Sequence, residues 1–172
     1  MMKVLVTYAS KYQSTAEIAA RIAKAIRSKK WTLDLIPVSM DIDPKNYDAI
    51  ILGSALYMGQ WMNSAAEFIL THEKVLTERS TWLFSSGPTG EGEAARLLNG
   101  FTFPIVLAGV AERINPQDIA IFHGKLDGNA LGWGERLIVR AVHAQYGDYR
   151  DWESVETWAS SIRAKLEEQF AT

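Results

Sequence analysis

Val4-Leu5-Val6-Thr7-Tyr8-Ala9-Ser10-Lys11-Tyr12-Gln13-Ser14-Thr15, running on into Ala16 to Ile26, is the stretch that decides the fold. Val4, Leu5 and Val6 form an aliphatic run too short for a helix, so they read as a buried strand. After Ala9 comes a polar loop, and beyond it Ile18, Ala19, Ile22, Ala25 and Ile26 recur at helical spacing. Ser14 with Glu17 three residues later reads as a capping box, which starts the helix there with its amides toward the loop. A helix start combines unpaired N–H groups with the positive end of the macrodipole and so suits a phosphate. Ser10, Ser14 and Thr15 add hydroxyls to that point. An ordinary capped helix in any α/β domain would read the same way, so both readings stand on this loop alone. The loop contains no glycine and no Walker lysine. That sets aside an NTPase P-loop and a dinucleotide fingerprint, and favours a phosphate monoester held by amides and hydroxyls.

Working outward, Lys29 and Lys30 suit a helix end, and Thr32 to Val38 is a second strand that Pro37 assigns to a sheet edge. Asp41 to Tyr47 is a polar connection. Ala49 to Leu52 is a continuous apolar run, as expected in the middle of a parallel sheet, and it leads into Gly53 to Gly59. Ser64 with Glu67 reads as a second capping box, opening a helix on which Phe68, Ile69, Val75 and Leu76 can share a face. Thr81 to Ser85 is a strand running into Ser86-Gly87-Pro88-Thr89-Gly90, with a short helix over Glu91 to Leu98. Phe103 to Ile114 is compatible with strand or helix, with helix preferred. Asp118 to His123 is then a fifth strand. Leu131 to His143 reads as a hydrophobic helix. Val155, Trp158, Ala159, Ile162 and Leu166 form one face of a last helix capped by Asp151.

Strands alternating with helices, with no repeat or linker between them, predict one domain over residues 1–172: an α/β three-layer sandwich on a five-stranded parallel sheet. Ligands of such sheets sit outside the carboxyl ends of the strands, where strand order reverses. The loops at 10–15, 54–59 and 85–90 all follow strands and fall on that edge.

Composition narrows the function classes. The 172 residues are 48% hydrophobic with a formal net charge of −2, so no basic surface for nucleic acid is expected. Zero cysteines exclude disulfides, thiolate metal sites and iron–sulfur ligation by this chain. His72, His123 and His143 lack metal-ligand spacing, and no metal site is expected. No signal peptide or long apolar run is evident, which points to the cytoplasm. No G-x-S-x-G elbow suggests a serine hydrolase. Gly53-Ser54 stands where a receiver domain would carry its phosphoacceptor aspartate.

At the three loops the sequence resembles the flavodoxin family, and the resemblance spans nearly the whole chain. It implies the strand order 2-1-3-4-5, FMN as cofactor, and a phosphate held by Ser10, Lys11, Tyr12, Gln13, Ser14 and Thr15. It also implies an isoalloxazine flanked by Ser54, Ala55, Leu56, Tyr57, Met58 and Gly59 and by Ser85, Ser86, Gly87, Pro88, Thr89 and Gly90. The pairing of Gly53 to Gly59 with Gly147-Asp148-Tyr149-Arg150-Asp151-Trp152 resembles the branch that contains menaquinone-dependent protoporphyrinogen IX dehydrogenase. That implies an oxidoreductase passing electrons or hydride from a reduced organic substrate, such as protoporphyrinogen IX, to a quinone or a redox partner protein. An electron carrier without its own substrate, or a flavin-free interaction module, are the alternatives. Relatives often have glycine where this chain has Gln13; a positive φ there would cost glutamine about 1 kcal/mol. The 85–90 loop also lacks the acidic and tyrosine pattern of electron-carrier flavodoxins.

Tyr57 and Trp61 read either as an aromatic wall on the flavin or as packing at a helix entry. Gly90-Glu91-Gly92-Glu93-Ala94-Ala95 matches G-x-G-x-x-A, but follows the fourth strand rather than the first. His123, ending the fifth strand on the ligand edge, is the one catalytic candidate, as a proton donor; Asp127 and Glu91 read as surface carboxylates. Leu131 to His143, with Trp133, Leu137, Ile138, Val139 and Val142 beside Arg136 and Arg140, could touch a membrane or a quinone-bearing partner. A helix covering the sheet is the preferred reading.

Overall fold

A computed structural model describes residues 1–141 and 143–169. In chain order the elements are β1 (Met2–Ala9), α1 (Ser14–Ile26), β2 (Trp31–Pro37), a 3-10 turn (Pro44–Asn46), β3 (Ala49–Tyr57), β4 (Gln60–Trp61), α2 (Asn63–Thr71) and α3 (Glu73–Thr77). There follow β5 (Ser80–Ser86), α4 (Ala94–Leu97), α5 (Ile105–Ile114), β6 (Asp118–Phe122), β7 (Lys125–Leu126), α6 (Trp133–Ala141), β8 (Gly147–Asp148) and α7 (Trp152–Gln169).

Five strands run parallel in the order β2-β1-β3-β5-β6, the arrangement expected from the sequence once the short β4 is set apart. β2, with Pro37 at its end, lies at the edge. The chain leaves β1 for β2 on one side and returns for β3 on the other, so the order reverses between β1 and β3. Register aligns the carboxyl ends: Ala9 pairs with Ser54, Ala55 with Ser86, and Ser86 with Phe122.

The two-residue period of the strands divides the core. Val4, Val6, Ile51, Trp82 and Phe84 point to the face covered by α1 and α7, against Ile18, Ile22, Val155, Ile162 and Leu166. Leu5, Ile50, Leu52 and Leu83 point to the other face, against Phe68, Ile69 and Leu76 and against Leu107, Val110 and Ile114 of α5. Each of these aliphatic side chains contributes about 1.5–3 kcal/mol by leaving water. At Gly53 a Cβ would lie 2.0 Å from the ring of Phe84, so the β3 backbone meets that ring where no side chain fits.

Several expectations are corrected. Gln13, not Ser14, is the N-cap of α1, and no side chain caps it. The Ser64–Glu67 box does not form either, because α2 starts at Asn63 behind Met62. α1 ends at Ile26, before Lys29 and Lys30. The helix expected through Leu76 is broken at His72 into α2 and α3, although Phe68, Ile69, Val75 and Leu76 are all buried. β3 continues to Tyr57 and turns back as β4, a hairpin not anticipated in a polar loop. β7 and β8 form a second small antiparallel pair. Asp151 does cap α7, accepting from the amides of Glu153 and Ser154 at 3.1 and 3.2 Å. α6 does not cover the sheet: of Trp133–Ala141 only Val139 is buried. Val142 lies outside the described residues.

Candidate functional site

The site is built where β1 gives way to α1. Gln13 adopts φ 66°, the left-handed region, and its carbonyl accepts the Glu17 amide at 2.9 Å. This is the conformation in which glutamine is disfavoured relative to glycine. It turns the chain sharply into α1, whose first amides, those of Ser14, Thr15 and Ala16, have no carbonyl partner among the described residues. Thr15 is buried at this point. The supposed capping pair has other partners. Ser14 Oγ accepts the Lys125 amide at 3.0 Å, and Glu17 accepts from Arg150 at 2.5 Å.

α6 meets the same loop from outside. The Glu135 carboxylate accepts from the Lys11 ammonium and the Tyr12 hydroxyl, and from the Gly132 amide at 2.9 Å. Lys11 first, then Tyr12 and the Gly132 amide, pull the Glu135 carboxyl down to about 2. The hydrogen bond to Glu135 raises Lys11, and the one donated to it raises Tyr12. Tyr57 is pushed up to about 12, chiefly by burial and then by Tyr12, while the residue remains 42% exposed.

The second loop is mostly strand. Tyr57 pairs with Gln60 across a two-residue turn in which Met58 has φ 50° and Gly59 φ 74°, the type I′ pattern that matches strand twist. Trp61 is buried, donates from Nε1 to Ser85 Oγ at 2.8 Å and meets Phe103 edge-on at 4.8 Å. It is therefore a core residue and no wall for a ligand. Ser54 Oγ accepts the Met62 amide at 3.0 Å and donates to the Ala55 carbonyl at 2.9 Å. The hydroxyls of Ser54 and Ser85 are thus spent inside the fold; Tyr57 and Met58 are what this strand end presents to solvent.

The third loop is closely packed backbone. A Cβ at Gly87 would lie 3.0 Å from Leu56 Cβ, and one at Gly124 would lie 3.0 Å from the Gly87 carbonyl oxygen. The Gly87 amide donates to Phe122 and the Gly124 amide to Pro88, tying the loop to the end of β6. His123 Nδ1 lies 3.2 Å from the Pro88 carbonyl and Nε2 2.8 Å from that of Gly92. Both ring nitrogens face backbone acceptors, so a ring N–H of His123 ties residues 88–92 to the end of β6. The G-x-G-x-x-A match also dissolves, since only the single turn Ala94–Leu97 follows it. The Ser86 hydroxyl and the Thr89 hydroxyl are buried without a partner among the described residues, the kind of orphan that a bound group satisfies.

A model of the flavodoxin domain matches residues 5–152. The chain belongs to the flavodoxin domain family. This flavodoxin domain is similar to protoporphyrinogen IX dehydrogenase [quinone] of Escherichia coli strain K12, at 21% identity over 174 residues and 94% of each chain. Among solved structures it is similar to a flavodoxin from the domain Archaea, with TM-score 0.57 and 17% identity over 96% of this chain and 99% of that one. It is also similar to rubredoxin oxygen:oxidoreductase from Desulfovibrio gigas, with TM-score 0.63 and 16% identity over 99% of this chain and 37% of that one. The fold of the flavodoxin domain accounts for where the three loops meet. Glu135 and Gly124 belong to no motif of the sequence. Glu135 lies 124 positions from Lys11, and no local spacing signals the contact. Gly124 shows its role only through the backbone it approaches.

Proposed function

We propose that the chain is an FMN-binding oxidoreductase that passes electrons or hydride from a reduced organic substrate, protoporphyrinogen IX being the candidate, to an acceptor such as a quinone. The observation that carries this reading is the left-handed turn at Gln13. It turns the start of α1 toward the β1/β3 switch, where the Ser14, Thr15 and Ala16 amides have no carbonyl partner among the described residues, beside the buried Thr15. Such a helix start suits a dianionic phosphate monoester. Ser10, Lys11 and Tyr12 complete the proposed phosphate loop. The ring system would lie between Ala55 to Gly59 and Ser86 to Gly90, where the Tyr57 ring can stack and the Ser86 and Thr89 hydroxyls lack partners among the described residues. The bound flavin would supply the redox chemistry, while the protein supplies binding, orientation and electrostatic tuning. Membership of the flavodoxin domain family supports the cofactor, and the name of the Escherichia coli relative supports the choice of substrate and acceptor.

The test is titration of the protein with FMN and with riboflavin, followed by visible absorbance. A perturbed flavin spectrum and tighter binding of FMN are expected. Thr15→Ala should weaken FMN about tenfold while leaving riboflavin nearly unchanged. Equal losses for both ligands would remove phosphate recognition from Thr15. Anaerobic turnover of protoporphyrinogen IX with a menaquinone analogue separates enzyme from carrier: a protein that cycles with a reductase but turns over no porphyrinogen is a carrier.

A further inference from the structure

α6 has three sides, and only one of them faces the protein. Glu135 and Val139, four residues apart, form the inner edge, the first bound to Lys11 and Tyr12 and the second buried. Trp133, Leu137 and Ala141 follow one another at four-residue spacing, with Gly134 and Ile138 beside them, and make the outer arc. That arc is bare: Trp133 is 81% exposed, Leu137 48% and Ile138 47%. Arg136 and Arg140 lie along one margin, each three residues beyond an apolar residue of the arc. Among the described residues neither arginine has a carboxylate within ion-pair distance; the one acid of the helix, Glu135, is turned inward to Lys11.

We infer that α6 is an in-plane docking helix for an anionic lipid bilayer. Its exposed arc carries the residue types that enter the boundary between headgroups and acyl chains, with tryptophan at the level of the headgroups. The two arginines are placed to reach lipid phosphates while their stems lie along apolar surface. A single convex ridge of nine residues suits insertion better than a flat protein face, where about 800 Å² per partner is usual. With nine residues α6 is far too short to cross, and among the described residues no helix is long and apolar enough to do so. The placement has a consequence that rests on the proposed oxidoreductase function. Glu135 fixes α6 to the rim of the phosphate loop, so docking would hold the redox crevice against the bilayer, where a lipophilic quinone dissolves.

The experiment is co-sedimentation of the full chain with vesicles of phosphatidylcholine alone and of equal parts phosphatidylcholine and phosphatidylglycerol, at low and high salt. Binding is expected to the anionic vesicles only and to fall with salt. Arg136→Gln with Arg140→Gln should weaken it at least tenfold, and so should Leu137→Ser with Ile138→Ser. These side chains are exposed, so circular dichroism and melting temperature should match the parent. Absence of binding to anionic vesicles at low salt, or binding that both variants retain, overturns the inference. Self-association abolished by Leu137→Ser with Ile138→Ser, without vesicle binding, would assign the arc to a second copy and overturn it as well. FMN titration of the same proteins reads the oxidoreductase proposal separately: vesicle binding without FMN binding would sink that reading alone.

Discussion

The Glu135 carboxylate of α6 accepts from the Lys11 ammonium, a residue 124 positions earlier in the chain, and so places a negative charge on the rim of the loop proposed to take a phosphate. The pair neutralises a cation that would otherwise attract the anion. Glu135→Gln should therefore tighten FMN about three- to tenfold at low ionic strength and leave riboflavin unchanged. The gain should shrink in high salt, because both partners are partly exposed. Parallel titrations with the two flavins check this; an equal effect on both would show that Glu135 acts through packing.

The same contact sets a pH dependence. The folded protein holds Glu135 near 2 against an ordinary value of 4.5, so its contribution is fully present above about 4.5 and is lost as pH falls toward 2. Below pH 4.5 α6 should loosen from the loop. Protection of the Gly132 to Ala141 amides, measured relative to their intrinsic exchange rate at each pH, should fall in that window in the parent, and should already be low and nearly pH-independent in Glu135→Gln.

Gln13 stands at φ 66°, so Gln13→Gly should relieve a local backbone cost of about 1 kcal/mol. The melting temperature should rise by about 2–4 °C for a chain of this size. Thermal denaturation of the ligand-free protein measures it. An unchanged or lowered melting temperature would mean that the greater freedom of glycine in the unfolded chain cancels the relief.

What the sequence could convey depended on how local the deciding contact was. β1, the core of β3 and the α7 face were legible because burial is written in consecutive or periodic aliphatic residues such as Val4 to Val6 and Val155 to Leu166. At the start of α1, Ser14 and Glu17 have cap spacing, yet their partners, the Lys125 amide and Arg150, come from more than a hundred positions away. The amphipathic character of Leu131 to His143 was visible, but which side faced the protein was decided by Glu135. Periodicity ranks residues by polarity and gives an acid no reason to be the inward one. Trp61 shows the same limit: an aromatic after a strand can serve a ligand or the core, and a hydroxyl on the neighbouring β5, that of Ser85, decides for the core.

His123 offers the sharpest separation of a structural from a chemical role. Its two ring nitrogens face the carbonyls of Pro88 and Gly92, which can only accept; the neutral ring has one N–H to donate, and that bond ties the 88–92 loop to the end of β6. His123→Ala should destabilise the protein by about 1–2 kcal/mol, lowering the melting temperature by about 2–8 °C, and should speed exchange of the Gly124 amide, which donates to the Pro88 carbonyl of this loop. His123→Gln keeps a donor and should recover part of that protection. FMN affinity should fall in proportion to the loss of loop protection, because the ring of the cofactor is proposed to rest on this loop. A variant with unaltered stability and exchange but no turnover would return His123 to the role of proton donor.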